Sequence, residues 1–249
     1  MSGHSKWSTI KRKKEVTDAL RGKLFSKLSK AISTAVKVGG GPNPDTNAKL
    51  RVVIEEARAA NMPRANVERA LSKGEGGGAI EEFTYEGFGP GGIAVIIEGA
   101  TDNRNRTGQE IKGIFERGGG RLAGPGAVSF NFKPKSMFLI AKKDNKDDQI
   151  LQLIDLGVED VEETDDGIEV FMGQEKLSET KEMLESKNHM VIKSELVRRP
   201  INYHLIDNVD EAKRALSFLE KLEDNDDVHK VFANIDIPDS VLSKININE

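Results

Sequence analysis

The densest chemistry-bearing stretch of this sequence lies near its start. His4, Lys6 and Trp7 are followed by Lys11-Arg12-Lys13-Lys14, then by Arg21, Lys23, Lys27 and Lys30. Clustered ammonium and guanidinium groups neutralise phosphates and release their counterions. They give affinity for a nucleic acid without reading its bases. Trp7 adds a ring on which a base or an arginine plane could stack. An alternative stays open, in which Trp7 covers an apolar core and the lysines only solubilise it. A second candidate is Asp102-Asn103-Arg104-Asn105-Arg106-Thr107. Arg104 and Arg106 could present planar forks to phosphate beside a helix N-terminus. Thr107 and Glu110 have capping-box spacing, so the same residues also suffice to shape a turn and start a helix.

Other chemistry is hard to assemble. The chain has no cysteine, which excludes disulfides, thiolate nucleophiles and cysteine-based metal sites, and points to the cytoplasm. Gly87-Phe88-Gly89-Pro90-Gly91-Gly92 matches a dinucleotide fingerprint in form only, because a strand rather than a helix is predicted after it. His4, His189, His204 and His229 are scattered, and none lies in an H-E-x-x-H motif. The acids Glu159, Asp160, Glu162, Glu163, Asp165 and Asp166 lack the spacing of a calcium loop. No P-loop and no G-x-S-x-G elbow occurs. The expectation is a protein without cofactor, metal or catalytic activity.

The elements that must position these residues fall into three blocks. Val16, Leu20, Leu24, Leu28, Ile32 and Val36 recur every fourth residue, predicting a helix with one apolar face. Lys23, Lys27, Lys30 and Lys37 fall in an arc of about 80° on the other side, whereas Arg21 projects on the apolar side. Helices over 47–60 and from Pro63 to Gly74 complete a small bundle, and Glu75-Gly76-Gly77-Gly78 reads as a hinge. Beyond it come strand 93–98, helix 107–117 and strands near Leu122 and over 128–132. Strand 137–141, helix 147–156, strands 158–162 and 168–171, helix 175–187 and strand 190–196 then make a complete β-α-β-β-α-β unit. Helix 210–223 and strand 228–234 follow. The expected class is therefore α+β: a basic helical bundle at 1–78 and two ferredoxin-like units. One of these, 135–203, is inserted into another built from 79–134 plus 204–240.

Of 249 residues, 37% are hydrophobic and 31% charged, enough for ordinary cores, and no apolar run reaches the ~18 residues of a membrane span. The opening residues lack an apolar signal core and an amphipathic leader. The net charge of −4 hides a polarity: residues 1–73 carry +10, residues 74–135 carry −1 and the remainder −13. A basic module for a polyanion and an acidic remainder that stays clear of it are expected.

Gly3-His4-Ser5-Lys6-Trp7, Arg21-Gly22-Lys23, Asn61-Met62-Pro63, Tyr85-Glu86-Gly87, Gly89-Pro90-Gly91-Gly92, Thr101 to Thr107, Gly119-Gly120 and Asp227-Val228 with Val231-Phe232 and Asn234 together resemble the YebC family over essentially the whole chain. Its members are labelled transcriptional regulators, with mitochondrial relatives described as translational activators. The resemblance implies three domains, a cytoplasmic bacterial protein and no enzymatic activity. Leu20 stands where the family usually has Lys, and Ala123-Gly124-Pro125 replaces a more glycine-rich turn. The expected partners are DNA, or ribosomal or transfer RNA on the ribosome, with no membrane. The oligomeric state stays open.

Overall fold

The computed structural model describes residues 18–76 and 80–245. The bundle comprises α1 (Asp18–Val38), α2 (Ala48–Ala59) and α3 (Arg64–Glu75). Leu28, Ile32, Ala35 and Val36 of α1 meet Leu50, Ile54 and Ala57 of α2 and Ala70 of α3 in one apolar cluster. Asn47 caps α2, accepting from Leu50 N at 3.0 Å. Its amide also donates to Ala35 O and Gly41 O at 2.8 Å, tying the end of α1 to the start of α2. Asn61, at φ 55°, ends α2 with a bond from Met62 N to Ala57 O, the left-handed stop that asparagine tolerates. A Cβ on Gly74 would lie 2.6 Å from Val36 Cβ, so glycine lets α3 approach α1.

The next sheet is assembled from two distant stretches. It has the order β3-β1-β2-β9, formed by Arg121–Ala123, Glu81–Phe88, Ala94–Thr101 and Val228–Ala233. Helices α4 (Arg104–Arg117) and α7 (Val209–Glu223) cover one face, where Phe115 and Phe218 meet edge to face at 5.1 Å. A Cβ on Gly87 would strike Phe115 and one on Gly89 would strike Phe218, so these glycines make room for the aromatic pair. Gly91 and Gly92, at φ 72° and 84°, turn the chain between β1 and β2. This turn between antiparallel strands is what the glycine motif builds.

Between β3 and α7 the chain forms a second sheet of order β5-β6-β4-β7, from Asp160–Thr164, Gly167–Gly173, Phe132–Ile140 and Val191–Pro200. Helices α5 (Lys146–Asp155) and α6 (Leu177–Ser186) cover its outer face. The result is the ferredoxin-like order, with this unit inserted into the first. Strand alternation then joins the two units. Val95 and Ile97 of β2 point to their own helices, while Ala94 and Ile96 turn to the opposite face. There they share a cluster with Met137 and Leu139 of β4, Phe171 of β6 and Phe232 of β9. The two sheets pack face to face, with helices outside both. The chain enters and leaves the insertion at one place, where Phe132 pairs with Pro200. Asn131 clasps the junction: its amide donates to Asn202 O at 3.0 Å, and its carbonyl accepts from Ile201 N at 2.8 Å.

Two expectations need correction. The stretch 128–132 is not a strand of the first sheet; residues 129–131 form a 3-10 turn and Phe132 begins β4. The missing strand is β1, which precedes β2 in the chain, so the first unit is a permuted version of the ferredoxin-like order. Helix α4 starts at Arg104, not Thr107, and its cap is Asn103, which accepts from Arg106 N at 3.1 Å. Two short strands, β8 (His204–Leu205) and β10 (Ile235–Asp236), pair in parallel beside the first sheet.

Candidate nucleic-acid interface

The basic side of α1 faces the protein, not open solvent. The helix lies against β9 and β2, beside the loop that joins α7 to β9. Lys23 Nζ lies 2.6 Å from an Asp224 carboxylate oxygen. Lys27 donates to the carbonyl of Glu223, the last residue of α7, where the helix dipole favours a cation. Lys30 donates to the Asp227 carboxylate. Arg21 and Lys37 also have interactions within the protein. His4, Lys6, Trp7, Lys11, Arg12, Lys13 and Lys14 lie outside the described residues.

Arg104 and Arg106 are likewise turned toward carboxylates. Arg104 stands 3.8 Å from Glu81, with most of its side chain in solvent. Arg106 reaches Asp102 at 2.9 Å and Asp227 at 3.0 Å, and these hydrogen bonds raise its already high pKa. Thr107, instead of capping α4, gives its hydroxyl to Asp227.

Asp227 is therefore a hub that residue types alone did not single out. It is buried, and it accepts from Thr101 Oγ1 at 3.0 Å, from Thr107, from Arg106 and from Lys30. Burial alone would raise its pKa, but Lys30, Thr107 and Arg106 hold it far below the usual carboxylate range. Lys230 of β9 is a second hub, 2.9 Å from Glu56 of α2 and 3.4 Å from Glu195 of β7. Burial works against its charge, yet the two carboxylates hold its pKa above the ordinary lysine value. Lys181 of α6 reaches Glu55 of α2 at 2.8 Å, and Lys49 reaches Glu82 at 2.7 Å. A second buried acid, Glu86, accepts from the amides of Gly126, Val128 and Ser129 at 2.8–2.9 Å. Burial opposes its charge, and those amides prevail, lowering its pKa.

Every residue of the bundle's apolar cluster lies between Leu24 and Leu71, whereas the two sheets share a cluster of their own. The bundle thus meets the rest of the molecule largely through charge. Arg51, Arg58 and Lys73 remain exposed, and none forms a side-chain ion pair among the described residues.

A basic three-helix unit docked on two acid-rich ferredoxin-like units defines a three-part α+β architecture. Two family models match the chain, "TACO1/YebC protein N-terminal domain" over residues 5–77 and "TACO1/YebC second and third domain" over residues 80–235. The chain belongs to the YebC family. A "Probable transcriptional regulatory protein" of Dictyoglomus turgidum is 47% identical over 251 residues, covering 99% of this chain and all of the relative. One of the same name from Moorella thermoacetica is 42% identical over 253 residues, covering 99% of this chain and all of the relative. The crystal structure of a conserved hypothetical protein from Aquifex aeolicus superposes with a TM-score of 0.82 at 40% identity, covering 91% of this chain and 95% of that one. No helix among the described residues is long and apolar enough to cross a membrane.

Proposed function

We propose that the protein is a non-catalytic, cytoplasmic regulator of gene expression that grips DNA through its basic N-terminal bundle. The observation that carries this reading is the concentration of charge, +10 in residues 1–73 on a bundle with its own core. The names of its relatives support a regulator. Arg51, Arg58 and Lys73 offer exposed cations, and the sequence from His4 to Lys14 holds five Lys and Arg. The bands of affinity expected from such contacts are phosphate-driven and steeply salt-dependent. A second reading is a translation factor bound to ribosomal or transfer RNA. It is favoured by the −13 carried by residues 136–249, which suits basic ribosomal-protein surfaces better than a long duplex.

The test is fluorescence anisotropy of the full chain with DNA and RNA duplexes of about 30 base pairs across a salt series. A linear fall of log affinity with log salt, made shallower by Arg51→Ala with Arg58→Ala, is the expected result. No salt-dependent binding at low ionic strength would defeat the nucleic-acid reading.

A further inference from the structure

The chain places oxygens of its own, two carboxylate and one carbonyl, against the basic side of α1. Lys23 faces the Asp224 carboxylate, Lys27 the Glu223 carbonyl and Lys30 the Asp227 carboxylate, all on one side of α1. Lys23 and Lys30 are seven residues apart, about 10 Å along the helix axis. One strand of a duplex advances about as far over three phosphates. We infer that this face of α1 is a polyanion-binding surface occupied in the free protein by its own segment 223–227, and that a nucleic acid binds there by displacing that segment. This rests on the nucleic-acid reading above and deepens it by naming the surface and its competitor.

Three further observations make the exchange physically reasonable. Among the described residues the bundle shares no buried apolar cluster with the sheets, and the outermost contact to the segment, Lys23–Asp224, is half exposed and therefore weak and screened by salt. Departure of Lys30 does not orphan Asp227, because Arg106, Thr101 and Thr107 still satisfy the buried carboxylate. The segment itself is dense in negative charge, with Glu223, Asp224, Asp226 and Asp227 in five residues, so it repels any polyanion that does not first separate it from α1.

The chain lacks cysteine, so single cysteines at the exposed positions Ser72 of α3 and Ser240 near the C-terminus can carry a donor–acceptor dye pair. Energy transfer is measured in the full chain while an RNA or DNA duplex of about 30 base pairs is titrated in at low salt. The expected result is a change of transfer efficiency that saturates with binding. Asp224→Asn removes one competitor from an exposed position and is expected to tighten duplex binding about two- to five-fold. Saturable binding with unchanged energy transfer and unchanged affinity in Asp224→Asn would overturn the displacement and leave the nucleic-acid reading standing. Absence of binding in both proteins would overturn that reading and the occupied surface together.

Discussion

Lys230 and Glu56 form an ion pair of 2.9 Å between the last strand of the first sheet and the second helix of the bundle. Glu195 of the inserted sheet stands on the other side of the same ammonium, 3.4 Å away, so one lysine joins all three parts of the molecule. Glu56→Ala removes one of the two carboxylate partners of a largely buried cation. A loss of about 1–3 kcal/mol is expected in denaturant unfolding. Lys230→Ala should cost at least as much, because Glu56 then loses its cation beside Glu195, which keeps only Lys193 at 2.8 Å. Equal stability of wild type and both variants would remove Lys230 from its linking role.

Asp224 and Asp227 both face lysines of α1, but burial separates their consequences. Asp224 is about half exposed, and Asp224→Asn should change stability by no more than about 1 kcal/mol. Asp227 is buried among Lys30, Arg106, Thr101 and Thr107, so Asp227→Ala should cost roughly 3 kcal/mol or more. Thermal unfolding of the two variants side by side checks the ordering.

His229 gives a pH dependence with a definite sign. Burial, reinforced by Lys30, Lys27 and Lys230, pushes its pKa down from 6.5 to about 4, with Asp227 opposing. The unfolded chain therefore takes up the proton first as pH falls. Stability is fully present above the ordinary histidine value and is lost progressively toward pH 4, by up to roughly 3 kcal/mol. Asp227 keeps its charge over that window, since its own pKa lies far lower. His229→Gln should flatten the dependence of the melting temperature on pH between 6.5 and 4; an undiminished slope would assign it to other groups.

The insertion can be tested by cutting the chain. Residues 132–203 hold all four strands and both helices of the second sheet, and should show a cooperative thermal transition when made alone. Residues 79–134 lack Val228–Ala233 and α7, and should not. A cooperative transition in that shorter fragment would argue against a first unit completed from the C-terminal stretch.

Promoter and ribosome predict different competition. A regulator that reads promoters discriminates them from random duplex by about 10³-fold or more. A basic bundle gripping phosphates is expected to fall short of that and to co-sediment with ribosomes at physiological salt. Strong promoter preference together with absence from ribosomal fractions would reverse the expectation.

Local periodicity made much of this architecture legible. The four-residue repeat from Leu24 to Val36 announced α1, and the rhythm of the inserted unit showed its six elements within a few residues of their observed bounds. β1 escaped because Glu81, Glu82, Glu86 and Gly87 dilute its alternation of Phe83 and Tyr85. Glu86 looks like a surface acid until its acceptors, the amides of Gly126, Val128 and Ser129, are brought to it by the fold. The lysines were recognised by their arc, but their partners lie 196 and 197 residues away for Lys27 and Lys30. Asp227 is one acid in a run of several, and although Asp227-Val228 belongs to the family resemblance, nothing in its residue type points to a buried role. The sequence Asp102–Thr107 suits both a helix start and a phosphate contact. In the described structure its Arg106 and Thr107 are spent on Asp227.

The clasp of Asn131 on Asn202 brings the two ends of a long excursion side by side. A short turn across that junction would splice the flanking stretches together with little movement of either end. Such a shortened protein would keep every strand of its remaining sheet, but Ala94, Ile96 and Phe232 would lose their opposing layer. The inserted sheet is thus a graft in its connectivity and a lining in its packing. Any descendant that discarded it would need new polar side chains on the face laid bare.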